Sequence, residues 1–129
     1  MTVQELFTLT VGIMGITPAN ATSYNDALLP QVNTILAQTF NLENNNREFK
    51  GLTVLTSIPS VSSLSDVLTY QDNVLRKVVV WGLAQLLALS DDDVVKAGFF
   101  ENRYADGMRL EGKYVASDIT DYYALESDE

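Results

Sequence analysis

Residues 78–89 read Val-Val-Val-Trp-Gly-Leu-Ala-Gln-Leu-Leu-Ala-Leu, and Gln85 carries the only polar side chain among them. A helix that is apolar on all sides is buried on all sides. With Asp72 as its N-cap, the stretch predicts a helix over residues 73–89 in the core of a small helical bundle. Twelve residues rise only about 18 Å in a helix, and no run of about 18 apolar residues exists, so we expect no membrane span.

The predicted helix has two apolar faces. One comprises Leu75, Val79, Gly82, Leu86 and Leu89. The other comprises Val80, Ala84 and Leu87, flanked by Trp81. One face packs on the core, and the second needs another helix or another subunit, so we predict Val80, Trp81, Ala84 and Leu87 as contact residues. Glycine inside a helix costs about 1 kcal/mol relative to alanine. We therefore expect Gly82 to permit a close helix approach.

Two helices are predicted before this core stretch. Thr2 and Glu5 fit a capping box that opens a helix over about residues 2–14. A second helix over about residues 23–41 carries an apolar stripe at helical spacing, formed by Tyr24, Leu28, Val32, Ile35, Leu36 and Phe40. Pro30 lies inside that stripe, so we expect a kinked helix.

The segment between these helices and the core stretch indicates loop and strand. Glu43-Asn44-Asn45-Asn46-Arg47 is polar and predicts a loop. Residues 52–58 partly alternate, are rich in β-branched side chains and end at Pro59, so they are the best strand candidate. Ser63-Leu64-Ser65-Asp66 resembles a capping box that opens a short helix to about Tyr70.

The last forty residues divide into a helix, an arm and an acidic tail. Ser90-Asp91-Asp92-Asp93 caps a helix over about residues 92–105. The helical pattern fails after Gly107, residues 110–119 predict a β-arm, and residues 107–129 are expected to be flexible or partly extended until they dock. We divide the chain into a helical domain, 1–117, and an acidic tail, 118–129. The tail is either a solvated terminus or a docking arm, and the arm's predicted anchors are Ile119, Tyr122, Tyr123 and Leu125.

Composition favours a binding or structural protein over an enzyme. The 129 residues contain no Cys and no His, which excludes thiolate metal sites, cysteine nucleophiles and the usual general base. The net charge is −9, and residues 91–129 carry eleven acids against four bases. Specific phosphate binding needs a basic stripe, so the balance argues against a nucleic-acid binder.

Two acidic clusters are the remaining candidates for chemistry. Asp91-Asp92-Asp93 offers oxygen ligands for Mg²⁺ or Ca²⁺ but lacks calcium-loop spacing, and adjacent acids also favour a helix N-terminus. Glu43 and Glu48 could act as paired carboxylates, or form ordinary loop contacts or an inter-subunit ion pair. We expect helix capping at the first cluster and structural contacts at the second. No catalytic, cofactor or metal site is predicted.

Several motifs, in this order along residues 25–105, resemble small head–tail connector (adaptor) proteins of tailed bacteriophages. They are Leu28-Leu29-Pro30-Gln31-Val32-Asn33, Phe40-Asn41-Leu42-Glu43-Asn44-Asn45-Asn46-Arg47, Ile58-Pro59, Leu64-Ser65-Asp66-Val67-Leu68-Thr69-Tyr70, Val80-Trp81-Gly82-Leu83-Ala84 and the Asp91-Asp92-Asp93 cap. These are packing and turn motifs, and the related pattern often has Tyr where this chain has Trp81.

The resemblance implies a mostly α-helical protein with a C-terminal arm. Together with the segments predicted above, we expect a small bundle of about four to five helices with a short β-element and an extended C-terminal arm. It implies a homo-oligomeric ring, commonly of twelve subunits, in the neck of the virion, assembled in the host cytoplasm. The arm would meet the portal protein, and the opposite side would receive tail or stopper proteins. DNA would slide through the acidic channel without specific binding, and no cofactor is implied.

Three other functions stay open at the level of sequence. One is another phage morphogenesis factor, such as a tail-completion protein. A second is a small acidic regulator that mimics DNA and binds a basic partner. The third is a small carboxylate-dependent enzyme, which would need convergent carboxylates of perturbed pKa in a pocket.

Overall fold

The computed structural model describes the backbone of residues 1–127 and the side chains of residues 1–112. The chain is mainly α-helical, as predicted. Its helices are α1 (Val3–Met14), α2 (Pro18–Ala21), α3 (Asn25–Gln38), α4 (Phe40–Phe49), α5 (Asp72–Val74), α6 (Val80–Ser90) and α7 (Val94–Ser127). A 3₁₀ turn joins α2 to α3, and a π-helical turn, Leu75–Val79, joins α5 to α6. Asp72–Ser90 is therefore one continuous helix, which we call the central helix.

The central helix is the core of the bundle. Helices α1, α3 and α7 all pack against it. Its fully buried side chains include Val74, Val78, Leu83, Ala84 and Leu87. The predicted helix and the burial of Val80, Ala84 and Leu87 are confirmed, whereas on its other face Leu86 is half-buried and Leu89 is 45% exposed.

Length and apolar composition alone would allow the central helix to cross a membrane, since it has 19 residues. Of its most apolar 18-residue window, 56% is buried inside the bundle. Such burial is typical of a core helix, and its apolar character is accounted for by packing within the chain.

Helix α1 begins at the predicted capping box. The Glu5 amide donates to Thr2 Oγ1 at 3.2 Å, and the Thr2 amide donates to Glu5 Oε1 at 3.1 Å. Both backbone donors would otherwise lack a partner at the helix start. The helix ends at Gly15, whose φ of 70° is left-handed. The predicted span of residues 2–14 is confirmed to within one residue.

The predicted helix over residues 23–41 is shorter than expected. Helix α3 contains Pro30 and buries most of the predicted stripe, but it ends at Gln38. Thr39 is buried and its hydroxyl donates to the Ile35 carbonyl at 2.7 Å. The chain then enters α4, so the predicted loop at Glu43–Arg47 is wrong. The Asn-rich stretch is helical because its polar side chains bind other parts of the chain, as described below.

Residues 51–71, which we call the long loop, contain no strand. The predicted strand at 52–58 and the short helix after Ser63 are both wrong. Asp66 accepts from the Ser62 and Ser63 amides at 2.8 and 3.1 Å, so its carboxylate caps a turn instead of a helix. A single β-bridge between Thr2 and Val67 attaches the loop to the start of α1.

Helix α7 is much longer than predicted. It begins at Val94 and continues to Ser127 through Gly107 and Gly112, so the predicted end near residue 105 and the β-arm at 110–119 are wrong. The backbone after Gly107 is also helical, so the expectation of an extended segment there is wrong. Asp93 caps its start, where Oδ1 accepts from the Lys96 amide at 3.1 Å. The proposed domain boundary at residue 117 lies within α7 and stays a prediction.

Candidate interaction surface

Three of the predicted contact residues are buried inside the chain. Val80, Ala84 and Leu87 are at most 1% exposed, and the elements packed on their helix are α1, α3 and α7. The partner of the second face is thus another helix of the same chain. A second subunit is not needed to cover these three residues.

Gly82 of the central helix faces side chains of both α3 and α7. A Cβ placed on Gly82 would be 2.9 Å from Ile35 Cδ1 of α3 and 3.0 Å from Tyr104 Cε1 of α7. The absent side chain therefore leaves room for both neighbours. The predicted close approach at Gly82 agrees with this geometry.

Trp81 is the one predicted core-helix contact residue that reaches the surface. Its half-buried ring lies 6.2 Å from the Phe100 ring, and Phe100 contacts Phe99 at 5.7 Å, edge to face. The Arg103 guanidinium lies 5.7 Å from the Trp81 ring centre and 5.4 Å from that of Phe99. Both distances fall in the range of cation–π attraction. The aromatic cluster thus holds a cation at the surface.

A groove runs between the central helix and α7 beside this cluster. We call it the basic groove, and its walls include Arg76, Lys77, Trp81, Arg103 and Leu110. Its volume is about 210 Å³. Asp106 and Glu111 also line it, but Asp106 lies 3.4 Å from Arg109, and Glu111 accepts from Asn73 at 2.9 Å. The lining of the groove thus combines apolar side chains with three cations.

Exposed apolar side chains are concentrated on two elements, apart from Phe49 of α4 and Leu89 of the central helix. On α7 they are Val94, Val95, Phe99 and Leu110, with Val95 85% exposed. On the long loop they are Leu52, Val54, Ile58, Leu64 and Val67. Where such side chains form a contiguous patch, they commonly mark a protein contact site. The sequence did not indicate that Val94, Val95 and Phe99 would be exposed.

Side chains of α3 and α4 hold the long loop in place of a neighbouring strand. Asn44 accepts from the Leu55 amide at 2.8 Å and donates to the Leu55 carbonyl at 3.0 Å. Asn33 makes the same pair of bonds with Val61, at 2.8 and 3.0 Å. Each amide thus satisfies both backbone groups of one residue, as a strand partner would. Because side chains bind these backbone groups, the β-branched residues of the loop stay outside any sheet.

Glu43 forms a buried ion pair within α4. Its side chain is fully buried, and Oε2 lies 2.5 Å from Arg47 Nε. Oε1 accepts from the Gln71 amide at 3.0 Å. Arg47 also donates to the carbonyls of Thr53 and Thr69, at 3.0 and 2.6 Å. The paired-carboxylate and inter-subunit hypotheses for this stretch are replaced by an intrachain pair that holds both ends of the long loop.

A second polar contact joins α4, the central helix and α7. Asn46 donates to the Glu111 carbonyl at 3.0 Å, and Asn73 donates to Asn46 Oδ1 at 3.2 Å. Asn46 and Glu111 are buried. Sequence reasoning missed Asn46, Asn73 and Glu111, because no spacing along the chain indicates that three separate elements meet there.

The Asp91–Asp93 run acts at the turn between α6 and α7. Asp91 accepts a hydrogen bond from the Tyr24 hydroxyl, and burial together with this carboxylate raises the pKa of Tyr24. Asp92 occupies the left-handed region with φ 56°, and Asp93 caps α7. Within residues 1–112 no three carboxylates are close enough to share a metal ion. The capping interpretation of this run is confirmed for Asp93.

The remaining predicted anchors lie outside the described side chains. Ile119, Tyr122, Tyr123 and Leu125 fall in the part of α7 for which only the backbone is described. Their role in docking stays a prediction.

Comparison with known protein families, with curated proteins and with solved structures gave no match.

Proposed function

We propose that this chain is a structural head–tail connector of a tailed bacteriophage. It forms a homo-oligomeric ring beneath the portal and links the DNA-filled capsid to the tail. The order of packing and turn motifs along residues 25–105 supports this function, as does a mainly helical bundle. The role requires no catalytic residue and no cofactor.

The observation that carries the proposal is the distribution of exposed apolar side chains. A connector must contact neighbours on more than one side, and large apolar side chains are exposed both on the long loop and on α7. Residues such as Val67, 68% exposed, and Val95, 85% exposed, belong to different elements and can serve different partners. Portal on one side and a tail or stopper protein on the other fit this arrangement.

The charge of the chain suits a channel for DNA. A net charge of −9 repels the phosphate backbone, so DNA can pass without being held. Such a protein would act in the neck of the virion after assembly in the host cytoplasm.

The test is portal binding. The full-length chain is mixed with assembled portal rings from the same genome, and the mixture is examined by co-sedimentation and electron microscopy. We expect the chain to sediment with portal and to add a ring of density on the tail side.

Two results would overturn the proposal. Binding to tail components without binding to portal would identify a tail-completion protein. Tight, salt-sensitive binding to a basic protein, without binding to portal, would identify an acidic regulator.

A further inference from the structure

We infer that the basic groove binds the acidic C-terminal segment, residues 113–129, of a second copy of this chain. This inference deepens the proposed function, because it names the contact between ring subunits, and it rests on that proposal for closure into a ring. It assigns the C-terminal segment to a neighbouring copy, in place of the portal contact that the resemblance implies. The contact itself is a property of the isolated chain.

The groove gathers three cations, against two carboxylates, on a strongly acidic protein. Three of the eight Lys and Arg residues of the chain, Arg76, Lys77 and Arg103, line it. All three are exposed, and among the described residues neither Lys77 nor Arg103 has an ion-pair partner within 4 Å. Arg76 has only an exposed pair with Asp72, at 3.6 Å. These cations are free to meet an acidic partner.

The C-terminal segment has the complementary chemistry. Residues 113–129 contain five acids and one base, a net charge of −4. The acids alternate with aromatic and aliphatic residues, among them Tyr114, Ile119, Tyr122, Tyr123 and Leu125. The groove offers Trp81 and Leu110 for apolar contact, and Phe99 is 52% exposed beside it. The groove and the C-terminal segment are therefore complementary both in charge and in apolar surface.

Helix geometry assigns this segment to another copy. Arg103 and Asp118 lie on the same continuous helix, fifteen residues apart. At 1.5 Å per residue, Asp118 is about 22 Å further along the axis than Arg103. The segment cannot fold back on its own groove without breaking α7. A contact between the groove of one copy and the segment of the next is head-to-tail, and such contacts close into rings or grow as filaments.

The experiment measures self-association of the full-length chain by sedimentation velocity at low and high salt. A groove variant carries Lys77→Glu with Arg103→Glu, and a tail variant carries Asp118→Lys with Asp121→Lys. We expect each variant to weaken self-association at least about tenfold, and high salt to weaken that of the wild type. Lys96→Glu is the matched control, because Lys96 is exposed on the same helix, has no ion pair among the described residues and does not line the groove.

Mixing the two variants tests the head-to-tail geometry. The groove variant retains an intact tail, and the tail variant retains an intact groove. We expect the mixture to recover association between unlike chains, because the intact tail fits the intact groove and the lysine-bearing tail fits the glutamate-bearing groove. Circular dichroism confirms that each variant is folded. If charge reversal disturbs folding, Lys77→Gln with Arg103→Gln replaces the groove variant.

Three results would overturn the inference: a wild-type chain that stays monomeric at the highest attainable concentration in low salt, variants that associate like the wild type, or a mixture in which unlike chains do not associate. A tail variant that loses portal binding while self-association is unchanged would assign the segment to portal, which also overturns it. Portal binding by a chain that does not self-associate leaves the proposed function standing. Self-association without portal binding supports the inference and contradicts the proposed function.

Discussion

Gly107 of α7 lies directly against the backbone carbonyl of Lys77 in the central helix. A Cβ placed on Gly107 would be 2.3 Å from the Lys77 oxygen, far inside contact distance. Lys77 belongs to the π-helical turn Leu75–Val79. The crossing of the two helices at this point therefore depends on the missing side chain, and α7 continues through the glycine instead of ending there.

Replacing Gly107 by alanine should destabilise the fold. The new methyl group meets rigid backbone, so the helices must separate, and overpacking of this kind costs about 1–3 kcal/mol. Gly98→Ala is the matched control in the same helix, because nothing lies within 4 Å of its added Cβ. It should be neutral or stabilise by up to about 1 kcal/mol. Urea unfolding followed by circular dichroism measures both, and equal effects at the two sites would contradict the packing argument.

Gly82→Leu should also destabilise, by about 1–3 kcal/mol. Its added atoms would meet Ile35 Cδ1 and the Tyr104 ring. Gly82→Ala should cost less than Gly107→Ala, because Ile35 Cδ1 is the end of a side chain that can move. Melting temperatures of the three variants test the order, and an unchanged or raised melting temperature for Gly82→Leu would disprove the close approach.

Leu87→Asp should prevent stable folding of the single chain. Leu87 is fully buried, so the variant places a carboxylate in the core, which costs far more than the roughly 1.5–3 kcal/mol lost with the leucine. Val95→Asp is the control, since Val95 is 85% exposed and its variant should fold normally. Circular dichroism of the purified chains distinguishes them. A soluble, folded Leu87→Asp chain would refute the core assignment.

Arg47→Met should destabilise the chain by about 3–5 kcal/mol, because it leaves Glu43 buried without its cation. The variant also removes the bonds to the Thr53 and Thr69 carbonyls, so the long loop should become more sensitive to proteolysis. Arg109→Met removes an exposed pair with Asp106 and should change stability by less than about 1 kcal/mol. If the two variants unfolded at the same urea concentration, the buried pair would have no special role.

Stability should fall at alkaline pH because of Tyr70. Burial raises the pKa of Tyr70 from 10.0 to about 12, so the folded state holds the phenolic proton more tightly than the unfolded state. The resulting stability is fully present below pH 10 and is lost as the pH rises to about 12, by about 2 kcal/mol.

Tyr70→Phe provides the check on this assignment. It removes the hydrogen bond to the Leu36 carbonyl and should cost about 1 kcal/mol at neutral pH. Its unfolding free energy should then fall less steeply above pH 10. Part of the decline should remain, because burial also raises the pKa values of Tyr24 and Tyr104. A variant with the same alkaline slope as the wild type would show that Tyr70 does not cause it.

Interactions between residues close in sequence were sufficient to predict the first helices. The Thr2–Glu5 capping box involves residues three apart, and the stripe from Tyr24 to Leu36 follows the helical period, so neither needs distant partners. The apolar stretch at 78–89 also predicted correctly that most of its side chains are buried, with Leu89 as the exposed exception. It could not indicate whether α7 or a second subunit covers the far face.

The errors fall where distant residues decide the local structure. The Asn-rich stretch became helix because Asn44, Asn46 and Arg47 find partners on the long loop, the central helix and α7. The strand candidate at 52–58 remained irregular because side chains, and not a neighbouring strand, bind its backbone.

What the sequence by itself determined is the helical class of the protein, its core stretch and its charge, because these depend on periodicity and composition. Tertiary structure alone decided the length of α7 and the position of the basic groove. A glycine read along the chain predicts a helix end, whereas a glycine beneath a carbonyl permits a helix crossing, and only the packed structure distinguishes the two. The groove likewise exists because Arg76, Lys77 and Arg103, 26 or more residues apart across its two walls, are brought together by that crossing.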